Sequence, residues 1–379
     1  MVKFIHTADW QLGMTRHFLA GEAQARFDGS RIDVIKTIGK LATEQDCSFV
    51  MVCGDVFEHN QVSWEVVGRA LSAMAATPQV TFYLLAGNHD PLDASSLYTS
   101  RTFLAHKPDN VVVLDSSVPV EVTPGVELIA APWYTKRPLT DLVAEACAHL
   151  QPNGTVRIVV GHGAVDSLSP DDANPALIGL GPIEAAIADE RVHYVALGDR
   201  HSTTNVGNTG RVWYSGAPEP TDYRETDPGK ALVVTLDTHE CAVEQHSVGT
   251  WRFVSHDQEL TSADDVDTLE GWLNSLERKD RTIVKLSLVG QLSLSQKTRL
   301  EEMLNLQGLV LASLNTWERH SHLVVKPTDA DLENLCLSGA AQQTLHTLMD
   351  MSNSTGTAAE DAQEALALLY RLTQQGEQR

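Results

Sequence analysis

Short apolar runs, each closed by a glycine or a polar residue, recur through the first two thirds of the chain. Residues 2–5, 49–53, 80–85, 111–114, 127–131, 156–160 and 194–197 read as strands. Most of them lack the in–out alternation of a half-exposed strand, as expected when both faces of a sheet are covered. Between them lie stretches of helical spacing. Residues 23–44 place Phe27, Ile32, Ile35, Ile38 and Leu41 on one face, and further helices are predicted over 63–76 and 139–150. Strands alternating with helices predict an α/β layered fold.

The pattern changes after Val206. Gly207, Gly210 and Gly216 punctuate short strands such as 211–214, and residues 231–236 and 242–247 predict antiparallel strands that close a first domain. Residues 256–267 are polar and acidic, which predicts a boundary between 250 and 265. Beyond it, strands at 282–289, 309–314 and 322–325 with a helix at 295–305 predict a small β-α-β unit. A helix is predicted over 329–349, a polar linker over 351–357 and a terminal helix over 358–375 with Leu366, Leu369 and Leu372 on it. At roughly 150 residues per domain, the 379 residues suit two domains and an appendage, divided as 1–255, 265–350 and 356–379.

Composition narrows the function. Hydrophobic residues make up 42% and charged residues 21%, which excludes global disorder. The net charge of −22 excludes a broadly basic DNA binder, because phosphate contacts need local Lys and Arg. The cysteines are scattered without a CxxC pair, so neither a disulfide framework nor a zinc knuckle is expected. No apolar run approaches the length of a membrane span and the start lacks an apolar signal core, so a soluble, cytoplasmic protein is expected.

Five predicted strands end in polar residues. Asp9 and Gln11 follow the first, Gly54-Asp55 the second and Gly87-Asn88-His89-Asp90 the third; Gly161-His162-Gly163 and Gly198-Asp199-Arg200-His201 follow two later ones. Taken singly, such an Asp caps a helix or turns the chain, and a lone histidine is satisfied in a core. Ligands of open α/β sheets, however, sit at the carboxyl ends of the strands. Five such ends together predict one shared metal site built from oxygen and imidazole donors.

These motifs resemble those of the calcineurin-like metallophosphoesterases, whose pattern runs D-x-H, G-D, G-N-H-D/E, G-H and G-H-x-H. Residues 6–13, 54–58 and 214–220 are further similar to the SbcD branch, a bacterial nuclease subunit paired with an SMC-like ATPase. The resemblance covers about residues 1–240. It implies a calcineurin-like β-sandwich flanked by helices, followed by a smaller α+β capping domain. It also implies two divalent ions, one on Asp9, Gln11, Asp55 and His201, the other on Asp55, Asn88, His162 and Asp199, with Asp55 shared. His89 is then the catalytic residue, protonating the leaving oxygen or stabilising charge in the transition state. Gln11 and Asp199 stand where the family usually has histidine. Both changes favour oxygen donors and hence manganese, with magnesium the other candidate.

Arg16, His59 and Arg200 are the substrate-contact candidates, beside His17, Arg26, Arg31, Lys136 and Arg137, with Trp133 or Tyr134 stacking on a base. The resemblance implies a DNA exonuclease of double-strand-break repair whose partners are DNA and an SMC-like ATPase of the SbcC type; a homodimer is allowed, and no membrane is involved. The residues leave open a phosphoesterase of nucleotides or small phosphodiesters, and a partner-binding subunit whose hydrolysis Gln11 and Asp199 have weakened. The leucines of the terminal helix either pack on their own domain or dock on the coiled coil of the ATPase.

Overall fold

The computed structural model describes residues 1–377 except 20, 172, 327, 329–330, 332–338 and 353–356. It divides into two units, Met1–Trp251 and Arg252–Arg379. In chain order the first unit carries β1 (Val2–Thr7), α1 (Glu22–Glu44), β2 (Phe49–Val52), α2 (Trp64–Ala75), β3 (Thr81–Leu85), α3 (Arg101–His106) and β4 (Val111–Leu114). Then follow β5 (Val120–Thr123), β6 (Val126–Ala130), α4 (Leu142–Cys147), β7 (Val156–His162), α5 (Leu180–Ala188), β8 (Tyr194–Gly198), β9 (Thr204–Val206), β10 (Val212–Tyr214), β11 (Lys230–Leu236) and β12 (Cys241–Ser247).

The strands form two six-stranded sheets, ordered β12-β11-β1-β2-β3-β4 and β5-β6-β7-β8-β10-β9. The runs β1 to β4 and β6-β7-β8-β10 are parallel, and antiparallel strands complete each sheet. Side chains alternate between two cores. Phe4, Phe49, Met51, Tyr83 and Leu85 join Leu128, Ile158, Val160 and Tyr194 in a single core that both sheets share. The intervening Ile5, Val50, Val52, Phe82 and Leu84 pack with Ile35 and Ile38 of α1 and Met74 of α2. On the second sheet Ile129, Val159, Val195 and Leu197 meet Val143 of α4 and Ile183 of α5. This is a sandwich of two sheets with helices outside, and burial on both faces explains the unbroken apolar runs.

His6 ties the sheets together. Its Nε2 donates to the Leu197 carbonyl (3.1 Å) and its Nδ1 accepts from the Tyr194 hydroxyl (3.1 Å). Burial pushes its pKa down to about 3, so it stays neutral and structural. Four elements of this unit escape the sequence reading: α3, β5, β9, and α5 with Gly and Pro in its first turn, where Pro is tolerated. The helix expected over 139–150 is shorter, limited to α4.

The second unit contains β13 (Arg252–Leu260), α6 (Ala263–Ser275), β14 (Thr282–Leu292), α7 (Leu294–Gly308), β15 (Ser313–Thr316), β16 (His322–Val325), α8 (Ala340–Ser352) and α9 (Thr357–Glu377). Strands β13, β15 and β16 all run parallel to β14. The division after Trp251 falls within the expected window of 250–265, while the polar stretch 256–267 itself is most of β13 and the start of α6. Ser255, Asp257 and Glu259 are exposed, so the polar alternation reports a strand with one open face. Ser262 and Asp265 form a capping box at the start of α6. The strand expected from 309 begins only at Ser313, because α7 runs to Gly308.

Of the helix expected over 329–349, residues 340–349 lie in α8 while 332–338 fall outside the described residues. Of the linker expected over 351–357, residues 353–356 also fall outside them. Leu366 of α9 is fully buried with Leu294, Val325 and Leu345, and Leu369 packs beside them. The side chain of Leu372 lies outside the described residues. The terminal leucine face is therefore committed, at Leu366, to its own unit rather than to a free docking surface. Among the described residues no helix is long and apolar enough to cross a membrane. Leu366→Ala is expected to destabilise this unit by about 2–5 kcal/mol, the usual range for emptying a buried leucine site. Hydrogen exchange across α7 in urea measures the loss.

Candidate metal centre

The carboxyl ends of β1, β2 and β3 from one sheet meet those of β7 and β8 from the other. β1 and β2 stay zipped past their last strand residues: the N–H groups of Asp9, Gln11 and Leu12 donate to the carbonyls of Gly54 (3.1 Å), Asp55 (2.8 Å) and Val56 (2.9 Å). The cost is backbone strain. Asp9, Gln11, Asp55 and Asp199 have φ of 55°, 44°, 52° and 96°, four of the seven non-glycine residues with positive φ among those described. Each such conformation costs on the order of 1–3 kcal/mol and survives only where its surroundings enforce it. Here they do: besides the zipped β1–β2 bonds, the Asp199 N–H donates to both Asp9 oxygens (3.0 and 3.2 Å).

His162 links the two sheets at this point. Its Nδ1 donates to the Cys53 carbonyl (2.9 Å), which leaves Nε2 facing Asn88 Oδ1 at 2.8 Å, Asp55 Oδ1 at 3.4 Å and Asp199 Oδ1 at 3.8 Å. Ligand atoms of the buried Asp9, Asp55 and His162 all lie within 4.8 Å of one another. Two glycines make this approach possible. A Cβ on Gly54 would stand 2.1 Å from His162 Nδ1, and one on Gly87 2.2 Å from Asp55 Oδ1. Gln11 is 3% exposed, and its Oε1 has no hydrogen-bond partner among the described residues. A buried amide oxygen without a donor, two residues after the clustered Asp9, is a group that a divalent cation satisfies. The residues present therefore fit metal ions.

The charges reflect the crowding. Burial pushes the Asp9 carboxyl up to about 7, against the pull of His201 and His162. Burial also opposes the charge on Asp55, but His162 and His89 together hold it below the ordinary carboxylate range. His162 loses charge to burial, yet Asp55, Asp9 and Asp199 raise it well above the ordinary value. In His201 burial is likewise overcome, by Glu225 and Asp9.

The supporting residues lie in loops. Glu225 Oε1 and Thr221 Oγ1 stand 2.9 and 2.8 Å from His201 Nδ1, and the Thr221 N–H bonds the Glu225 carboxylate (2.9 Å). A carboxylate on one ring nitrogen orients the other as a ligand. Asp90 accepts from the N–H groups of Gly87 (2.8 Å) and Phe57 (3.0 Å) and from the Tyr98 hydroxyl, fixing the loop that carries Asn88 and His89. Burial, helped by Asp55, raises its carboxyl to about 6. Glu225, Thr221 and Tyr98 carry no sequence signal of their own; only their loops place them.

Of the seven expected metal-site residues, Asp9, Asp55 and His162 share one cluster, Asn88 and Asp199 face His162, and His201 acts electrostatically on Asp9, while Gln11 is buried on the loop that follows Asp9. His89 stands at the rim with its side chain 35% exposed. Its N–H donates to Asp55 Oδ1 (3.0 Å), its Nδ1 donates to the Glu58 carbonyl (2.9 Å), and its Nε2 lies 3.9 Å from Asp55 Oδ2. Arg16 donates to the Thr221 carbonyl, exposed Arg200 to Thr204 Oγ1 (2.9 Å), and His59 lines an open groove with Ser63 and Arg69. Arg31 is buried, and so is Trp133, whose Nε1 donates to the His162 carbonyl (2.7 Å); neither is presented to a nucleic acid.

A layered α/β sandwich with carboxylates, amides and imidazoles gathered at its strand ends defines a metal-dependent hydrolase. The chain belongs to the calcineurin-like phosphoesterase family, whose model matches residues 2–241. It is similar to the SbcD subunit of the nuclease SbcCD from Rhodobacter capsulatus, 25% identical over 259 residues, covering 58% of this chain and 62% of that protein. The SbcD subunit of the Escherichia coli nuclease SbcCD is 25% identical over 272 residues, covering 62% and 65%. The match thus spans under two thirds of the length of either relative. Among solved structures, a dimetal phosphatase from Danio rerio overlays with a TM-score of 0.42 at 12% identity, over 65% of this chain and 96% of that one.

The pKa shifts predict how metal binding depends on pH. Asp9 keeps a proton up to about pH 7 in the metal-free fold, whereas the unfolded chain loses it near 3.8. The folded state thus binds the extra proton across that window, and stability falls as pH rises through it. The raised His162 acts in the same direction, since its contribution is complete below 6.5 and lost as pH passes its higher folded value. The depressed Asp55 already contributes fully above 3.8. Chelated protein is therefore expected to melt lower at pH 8 than at pH 5.5 relative to an Asp9→Asn variant, and added Mn2+ to raise the melting temperature more at pH 8. Scanning calorimetry checks this; equal increments at both values contradict it.

Proposed function

We propose that the protein is a two-metal phosphodiesterase acting on DNA, an exonuclease subunit of double-strand-break repair that works in the cytoplasm beside an SMC-like ATPase. The hydrolase reading rests on one observation, the cluster of Asp9, Asp55, His162, Asn88 and Asp199, with the unsatisfied Gln11 buried on the loop that carries Asp9. Choosing DNA among phosphoesters draws support from the likeness to the SbcD subunits of two SbcCD nucleases and from the motifs at residues 6–13, 54–58 and 214–220.

Asp9, Gln11, Asp55 and His201 would hold one cation, and Asp55, Asn88, His162 and Asp199 the other. Two divalent cations, manganese by this reading, would supply charge neutralisation for a phosphodiester and acidify a water nucleophile. The chain does the rest. Glu225 keeps the His201 ring turned so that Nε2 is its ligand atom. The Cys53 carbonyl does the same for His162. The Nδ1–H of His89 is committed to the Glu58 carbonyl, so its Nε2 is the nitrogen offered to the substrate. From the rim, protonated Nε2 donates to the leaving oxygen, while the bond from the His89 N–H to Asp55 holds the ring in register with the cluster.

His89→Ala is expected to keep its metal content and lose about 10²- to 10⁴-fold in turnover, the usual contribution of a positioned acid. Asp55→Ala is expected to lose metal. Elemental analysis with a Mn2+-dependent assay on single-stranded DNA and on bis(p-nitrophenyl) phosphate tests both. Equal metal loss in the two variants makes His89 a ligand, and hydrolysis of phosphomonoesters alone refutes the nuclease reading. The partner is tested by co-purification of the full chain with a coiled-coil ATPase of the SbcC type from the same cells.

A further inference from the structure

Arg31 is only 2% exposed, although it carries a full charge on the apolar face of α1, with its guanidinium 4.8 Å over the Phe27 ring. Among the described residues its hydrogen-bond partners are carbonyl oxygens rather than carboxylates. Nη1 donates to Trp10 (2.8 Å) and Nη2 to Pro220 (3.2 Å) and, at the limit, to Glu219 (3.5 Å). Its Nε has no partner among the described residues. Burial pushes the group down to about 10, so it is still protonated at neutral pH.

Burying a guanidinium costs several kcal/mol that an apolar side chain in the same place would save. What it gains is geometry, because a planar fork reaches two carbonyls at a fixed separation and a lysine does not. Those carbonyls lie at informative points. Trp10 sits between Asp9 and Gln11. Pro220 precedes Thr221, which bonds Glu225, and both face Nδ1 of His201. Arg16 reinforces the same stretch through the Thr221 carbonyl.

We propose that Arg31 is a positioning residue for the metal centre, tying the Trp10 carbonyl to those of Glu219 and Pro220 and so setting Asp9 and Gln11 against His201. Asn88 and His162 are placed by β3 and β7 without it. The inference rests on the two-cation reading above, and it assigns Arg31 to one of the two cations only. Mn2+ titration calorimetry and elemental analysis on full-length wild type, Arg31→Met and Arg31→Lys test it, with circular dichroism and melting of the metal-free forms as the check on folding.

The wild type is expected to bind two ions. Arg31→Met should keep its fold and one ion at wild-type affinity, with the other weakened about 10- to 100-fold, as for other residues that orient ligands. Arg31→Lys, which keeps the charge and loses the fork, should share the defect, and it carries the comparison if Arg31→Met does not fold. Unchanged affinity for both ions overturns the proposal. So does parallel loss of both, or unfolding of both variants, since Arg31 then serves the core alone. A wild type that binds fewer than two ions instead overturns the two-cation reading, and this inference falls with it.

Discussion

The site depends on one hydrogen bond, from His162 Nδ1 to the Cys53 carbonyl (2.9 Å). It joins the end of β7 in one sheet to the residue after β2 in the other. It also decides the chemistry of the ring. A nitrogen that donates to a carbonyl leaves its partner nitrogen free to act as a ligand, and that partner faces Asn88, Asp55 and Asp199. The Asp199 N–H on Asp9 and His6 on Leu197 hold the same strand ends together beside it. With these contacts, donors from five strands share one centre, and their mutual repulsion is what a cation relieves.

That repulsion explains why the strain collects where it does. Asp9, Gln11, Asp55 and Asp199 adopt left-handed backbone, which turns their side chains back toward the strand ends. The conformations are enforced by backbone bonds between the β1 and β2 loops and by the Asp199 N–H on Asp9. Supporting carboxylates outside the cluster are treated differently. Asp90 is fully buried but accepts from two N–H groups and a hydroxyl, and Glu219 accepts from Thr250 and Trp251. Buried acids with that many donors shape loops. Asp9 and Asp55, which cluster with His162, are the carboxylates that fit a cation.

Much of this is legible in the sequence, for a physical reason. Strands covered on both faces read as unbroken apolar runs, so their ends, and the polar residues just beyond, stand out; Asp9, Asp55, Asn88, His162 and His201 are visible in that way. The signal fails where one face is open. β13 alternates polar and apolar residues and so reads as a boundary, and the capping box at Ser262 and Asp265 disappears into the same polar stretch. It fails again for residues that act through loops. Nothing near Glu225 or Thr221 announces a partner for His201, and Arg31 has the composition of a surface residue until α1 is docked on its sheet.

The inward turn of the arginines bears on the proposed substrate. A chain with a net charge of −22 has little cation to spare for phosphates. Arg16 and Arg31, both near the site in sequence, are spent on backbone carbonyls, and Trp133 is spent on His162. Arg200, beside Asp199, is exposed, as are Lys136 and Arg137. On the proposed function, attraction for a phosphodiester therefore comes mainly from the cations held by the site, whose charge offsets that of Asp9, Asp55 and Asp199. On the same proposal, a partner carrying basic residues would add grip along a duplex.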